Sequence, residues 1–141
     1  MNPATTYMQA HEAAKVIERD ASAVARLGQI ITPELQANGK GYRAAYSFRN
    51  LVEMRIVEEM MKFGVPRKKI VSYLDTLRHS KMKWLDEKHT DGWIVIDGEW
   101  NWQFASDFSA IQLGWRNKQP HSFLAISIGK IRHELAERYS E

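Results

Sequence analysis

The sequence predicts a mainly α-helical N-terminal unit, with two short helices, a basic hairpin and two further helices, followed by a small α+β unit with a β-hairpin and a terminal helix. Three observations predict it. Apolar residues recur at helical spacing in four successive stretches before residue 79. The turn-forming run Asn38-Gly39-Lys40-Gly41 separates the second stretch from the third. Beyond residue 90 the helical spacing gives way to a β pattern of aromatic and β-branched residues around Asp97-Gly98. The 141 residues, 44% of them apolar, suffice for an ordinary packed core. The reading divides them into a first unit at 1–79, a polar linker at 80–90 and a second unit at 91–141.

Each element has a local cause. Ala10, Ala13, Ala14 and Ile17 fall at i, i+3, i+4 and i+7, so His11 to Ile17 is a short helix with a narrow face that permits close packing. Asp20 is placed to cap a second helix, whose Val24, Leu27 and Ile31 turn inward while Ser22, Arg26 and Gln29 share the outward side. Two short helices joined tightly suggest a helix-turn-helix. Thr32-Pro33 ends the second helix, because the residue before proline is pushed out of the α region. The glycines and Asn38 then supply positive φ for a hairpin tip, with Lys40 and Arg43 near it and Tyr42 alongside.

Ser47 is a good N-cap for a third helix running to Phe63. In it Arg55, Glu58, Glu59 and Lys62 form one polar stripe, leaving Met54, Ile56, Val57, Met60, Met61 and Phe63 to pack. Gly64 suits its C-cap and Pro66 the first turn of a fourth helix, in which Ile70, Tyr73, Leu74 and Leu77 repeat the spacing. Arg67, Lys68 and Lys69 crowd that helix's N-terminal turn, where the dipole disfavours cations and phosphate contact is one candidate reason for them.

Charge is distributed unevenly. Net charge is only +3, yet residues 1–38 hold three Lys/Arg against four Asp/Glu, residues 39–83 eleven against four, and residues 84–141 six against nine. A positive centre between acidic flanks suits an anionic polymer, although a solvated basic face is the plain alternative.

Several chemistries lack their residues. Cysteine is absent, which excludes disulfides, thiolate metal sites and cysteine nucleophiles and fits a reducing compartment. The N-terminus has no signal-peptide pattern and no apolar stretch approaches the ~20 residues that span a bilayer, so a soluble, cytoplasmic protein without membrane contact is expected. His11, His79, His89, His121 and His133 show no metal spacing, and there is no phosphate-cradling glycine loop or nucleophile elbow. No catalytic residue, metal or cofactor is expected.

Residues 7–79 resemble the N-terminal winged helix-turn-helix domain of MerR-type transcriptional regulators. The resemblance rests on the order of two short helices, a Thr-Pro stop, Gly41-Tyr42-Arg43, then Tyr46-Ser47-Phe48-Arg49-Asn50-Leu51 running into Phe63-Gly64-Val65-Pro66 and Ile70. It implies a DNA-binding regulator of transcription that acts as a homodimer, with helix two in the major groove and the wing on phosphates. Ser22, Arg26 and Gln29 would then face double-stranded DNA. Lys40, Tyr42, Arg43 and Tyr46 would hold the backbone, with Arg49 in support. The alternatives are that Arg26 pairs with Glu18 or Asp20 on the surface and that the tyrosines, Tyr46 above all, cover the core. The chain departs from the family where Ala23-Val24-Ala25 replaces a mid-helix Arg and aromatics, and where an extra alanine stands in Ala44-Ala45. No heptad run follows His79 to form the family's dimerisation coiled coil.

The second unit reads as a hairpin, Trp93 to Ile96 and Glu99 to Phe104, joined by a two-residue type I′ turn at Asp97-Gly98. That register pairs Ile96 with Glu99, Val95 with Trp100 and Trp93 with Trp102, placing Trp93, Trp100 and Trp102 on one face. Such a face is the core of a small sheet, a ligand pocket or a partner surface. Ile111 to Trp115 and Phe123 to Ile128 are candidate strands, and a helix from Gly129 turns Ile131, Leu135 and Tyr139 inward. Dimerisation and sensing of an unidentified effector are the roles considered for this unit. The rival to a DNA-binding regulator is an adaptor, antitoxin-like or phage-encoded, that docks a partner protein through the tryptophans.

Overall fold

The computed structural model describes residues 7–31, 45–79, 92–105 and 122–139. They form a mainly helical molecule with two small antiparallel sheets. Strand β1 (Tyr7–Met8) leads into α1 (Ala10–Ile17), where the Glu12 carboxylate accepts the Gln9 N–H at 3.2 Å and satisfies the helix start. The helix stops at Glu18, which adopts a left-handed conformation at φ 56° and reverses the chain within three residues. Asp20 then caps α2 (Ala21–Ile31), its carboxylate accepting the Ala23 N–H at 2.8 Å and the Ser22 hydroxyl at 2.7 Å. Val24, Leu27 and Ile31 are buried as the stripe predicts.

β2 (Tyr46–Ser47) pairs with β1, Tyr7 opposite Ser47 and Met8 opposite Tyr46. The β1 strand is too short to carry a sequence pattern. Ser47 caps α3 (Phe48–Phe63) as expected, in a reciprocal box: its hydroxyl accepts the Asn50 N–H and the Asn50 side-chain oxygen accepts the Ser47 N–H, both at 3.1 Å. Leu51, Val52, Met54, Ile56, Val57 and Met60 are fully enclosed, whereas Met61 is 53% exposed and does not pack as the pattern suggests. Gly64, at φ 91°, closes α3. Pro66 stands at the N-cap of α4 (Arg67–Arg78), and Ile70, Tyr73, Leu74 and Leu77 form its buried face.

The second sheet runs β4-β3-β5, all antiparallel, from β3 (Trp93–Asp97), β4 (Trp102–Ala105) and β5 (Phe123–Ser127). Its hairpin register differs from the expected one: Trp93 lies opposite Ala105, Ile94 opposite Phe104 and Ile96 opposite Trp102. The loop is three residues, Gly98 to Trp100, because the Asp97 N–H bonds the Asn101 carbonyl at 2.9 Å. The Asp97 carboxylate accepts the N–H groups of Glu99 at 2.8 Å and Asn101 at 3.0 Å, and Trp100 takes a left-handed φ of 64°. Contacts outside the hairpin hold this turn. The Tyr73 hydroxyl donates to the Trp100 carbonyl at 2.5 Å, and the Trp100 ring meets Phe63 edge-on at 6.4 Å.

The terminal helix α5 (Ile128–Tyr139) begins one residue before the expected Gly129, and the Ser127 hydroxyl accepts the Lys130 N–H at its start. Ile131 and Leu135 face inward, and the Tyr139 ring meets Phe48 of α3 edge-on at 6.1 Å. Toward the end of α5, Arg138 pairs with Glu18 at 3.3 Å and donates to the Val16 carbonyl at 3.4 Å. One hydrophobic cluster therefore runs from Met8 and Ile17 through α3 and α4 to Ile94, Ile96, Ile126, Ile131 and Leu135, crossing the division read between 1–79 and 91–141. The linker read at 80–90 and the strand read at Ile111 to Trp115 lie outside the described residues.

Candidate nucleic-acid interface

Helix α2 presents Ser22, Arg26 and Gln29 to solvent on one side, opposite Val24, Leu27 and Ile31. The structure brings these three predicted residues together. Ser22 is committed locally, because its hydroxyl donates to the capping carboxylate of Asp20. That hydrogen bond, then the Ala23 N–H, and to a lesser degree the charge of Arg26 hold the Asp20 carboxyl below its usual range. Arg26 makes no ion pair with a described residue, so the surface pairing with Glu18 or Asp20 considered as an alternative does not form.

Arg26 lines one side of a shallow depression between α2 and α3, with a volume of about 260 Å³, together with Ala23, Leu27, Ile30, Glu58, Met61 and Lys62. Glu58 is neutralised in place by Arg19 at 2.7 Å and Arg55 at 3.0 Å. Lys62 stays largely exposed, 3.5 Å from Glu59. The charged groups of the lining are thus paired among themselves except Arg26, and Ala23, Leu27, Ile30 and Met61 make the rest apolar.

The wing residues Lys40, Tyr42 and Arg43 lie outside the described residues. Tyr46 belongs to the core: it is 5% exposed, and burial raises its phenol pKa above the usual value. A buried ring pinned between α2 and α3 has no route to a phosphate, so Tyr46 serves packing instead of contact. Arg49 is half-buried in the first turn of α3. The three tryptophans do not share a face, since the three-residue loop shifts the register: Trp102 lies with Ile94 and Ile96 against the main core and packs its ring 5.2 Å from Tyr73. Trp93 lies on the opposite side of the sheet with Val95, Ala105, Phe123 and Ala125, and Trp100 sits in the turn. The shared face of Trp93, Trp100 and Trp102 read from the sequence is therefore not formed.

One positioning device escaped the sequence pattern. Glu53 is fully buried, and Arg78 of α4 grips it through Nε at 2.6 Å and Nη2 at 2.9 Å, while the Asn50 side-chain amide donates to it at 2.8 Å. The same Arg78 Nη2 donates to the carbonyl of Ile31, the last residue of α2. A single guanidinium thus ties α4 and α3 to the end of the solvent-facing helix. The available signal was Glu53 itself, an acid set among the apolar residues of α3, where burial demands a partner.

Among the described residues there is no cluster of metal-ligating side chains and no helix long and apolar enough to cross a membrane. No protein-family model matches the chain, and no curated protein matches it.

Proposed function

We propose that this protein is a sequence-specific, double-stranded-DNA-binding regulator of transcription, built on a winged helix-turn-helix and acting in the cytoplasm as a homodimer. The observation that carries the reading is α2: a short helix capped by Asp20 that follows α1 after three residues and turns Ser22, Arg26 and Gln29 outward, with Arg26 in no ion pair with a described residue. A helix with an exposed polar side of this kind fits the major groove, where Arg reads guanine and Gln reads adenine. Residues 32–45, which contain Lys40 and Arg43, connect the end of α2 to the β1–β2 ladder and supply the phosphate contacts in this reading. The excess of cations between residues 39 and 83 gives the field that steers a polyanion.

The test is selection of duplexes from a random-sequence pool by the full chain, followed by binding over a salt series. A selected consensus with an inverted repeat and affinity that falls steeply with salt is expected. Failure to enrich any duplex, or binding indifferent to salt, overturns the reading.

A further inference from the structure

The depression beside Arg26 has a composition that phosphate binding alone does not explain. Four of its lining residues, Ala23, Leu27, Ile30 and Met61, are apolar, and Met61 is 53% exposed. An exposed methionine beside a guanidinium that pairs with no described residue offers a soft apolar wall to whatever the guanidinium binds. That guanidinium indicates an anion. With Glu58 held by Arg19 and Arg55, and Lys62 paired with Glu59 at 3.5 Å, Arg26 is the lining charge that makes no ion pair with a described residue.

In the major groove, one kind of apolar group projects from base edges: the methyl on C5 of a pyrimidine, carried by thymine and by 5-methylcytosine. Resting on the proposed DNA-binding role, we infer that the α2–α3 depression takes the 5-methyl group of a pyrimidine adjacent to the guanine held by Arg26. The guanidinium donates to the guanine edge while its aliphatic stem, Ile30 and Met61 enclose the methyl. This reading also gives a use to a helix that has only one long cation on its outward side, because shape and methyl contact then add to the discrimination that Arg26 supplies.

The experiment uses the full chain and the duplex it selects from an unmodified pool. If thymine is the source, a thymine stands next to the guanine, and its replacement by deoxyuridine weakens binding about fourfold, the value of one buried methyl. If 5-methylcytosine is the source, the selected site has a CG step, and methylating that cytosine strengthens binding by a similar factor. In either arm Met61→Ala abolishes the methyl dependence, Met61→Leu keeps it, and a far-UV spectrum like that of the wild type accompanies both. A selected duplex bound equally with and without the methyl in both arms overturns the inference and leaves DNA binding intact. Methyl dependence that survives Met61→Ala also overturns it, by locating the contact elsewhere. If no duplex is selected at all, the DNA-binding role itself fails.

Discussion

Gly28 of α2 lies directly against the ring of Tyr46, so closely that a β-carbon at position 28 would stand 2.6 Å from the phenol oxygen and 3.1 Å from the nearest ring carbon. This contact sets how near α2 can settle to the strand that precedes α3. The spacing needs glycine for room, and the buried tyrosine fills the space.

Gly28→Ala is therefore expected to lower stability by about 1–2 kcal/mol, the overpacking cost exceeding the gain of roughly 1 kcal/mol in helix propensity. Tyr46→Phe removes the closest atom, so the same Gly28→Ala change should cost less in that background. Denaturant unfolding of the four proteins in the cycle measures the coupling. Strictly additive effects would show that the two residues do not touch.

Removing Arg78 strands a buried carboxylate. Arg78→Met is expected to cost about 3–5 kcal/mol because Glu53 loses its ion pair with no access to solvent. Glu53→Gln combined with Arg78→Met should recover much of that loss. Amide exchange supplies a second readout: protection at the last turn of α2 should fall in Arg78→Met, since the Ile31 carbonyl loses its donor. Exchange unchanged at that turn would limit the role of Arg78 to the pair with Glu53.

The helical half of the fold was legible because its causes are local. Ser47, Gly64 and the stripes of α2, α3 and α4 each act within a few residues of chain, and the structure uses them as their spacing implies. The hairpin turn was not. Asp97-Gly98 favours a two-residue turn, but Phe63 and Tyr73, from distant helices, hold Trp100 in a left-handed conformation that costs about 1–3 kcal/mol and lengthens the loop. The outward set Ser22, Arg26 and Gln29 followed from periodicity. The burial of Tyr46 and the reach of Arg78 to Ile31 depend on how helices meet, which periodicity does not encode.

The cap of α2 should be pH-sensitive. Hydrogen bonds hold the Asp20 carboxyl below its ordinary value of 3.8, so its ionised form favours the folded state. That contribution is fully present above pH 3.8 and is lost as pH falls through the lowered value. Asp20→Ala should thus be less stable than the wild type near pH 7, with the difference shrinking as acid protonates the wild-type cap. Parallel stability curves down to about pH 2 would exclude a cap worth its charge.

Two groups of cations should fail in different ways. Lys40→Ala with Arg43→Ala is expected to weaken binding to all duplexes alike and to reduce the salt slope by about two. Arg26→Ala should instead cost about 1–3 kcal/mol on the selected site and relax the choice of base there. Anisotropy titrations against the selected and a scrambled duplex separate the two. Equal loss on both duplexes for Arg26→Ala would reduce it to a phosphate contact.

Arg138 of the last helix bonds the Val16 carbonyl of the first, across 122 residues of chain. During synthesis the N-terminal helices leave the ribosome long before the helix that closes over them exists. Their shared apolar faces must wait in the open, and the region that meets DNA in our reading matures only when the C-terminal helix has been made. A chain interrupted before Ile128 would hold every proposed base contact and still lack the lid that keeps α1 and α3 together.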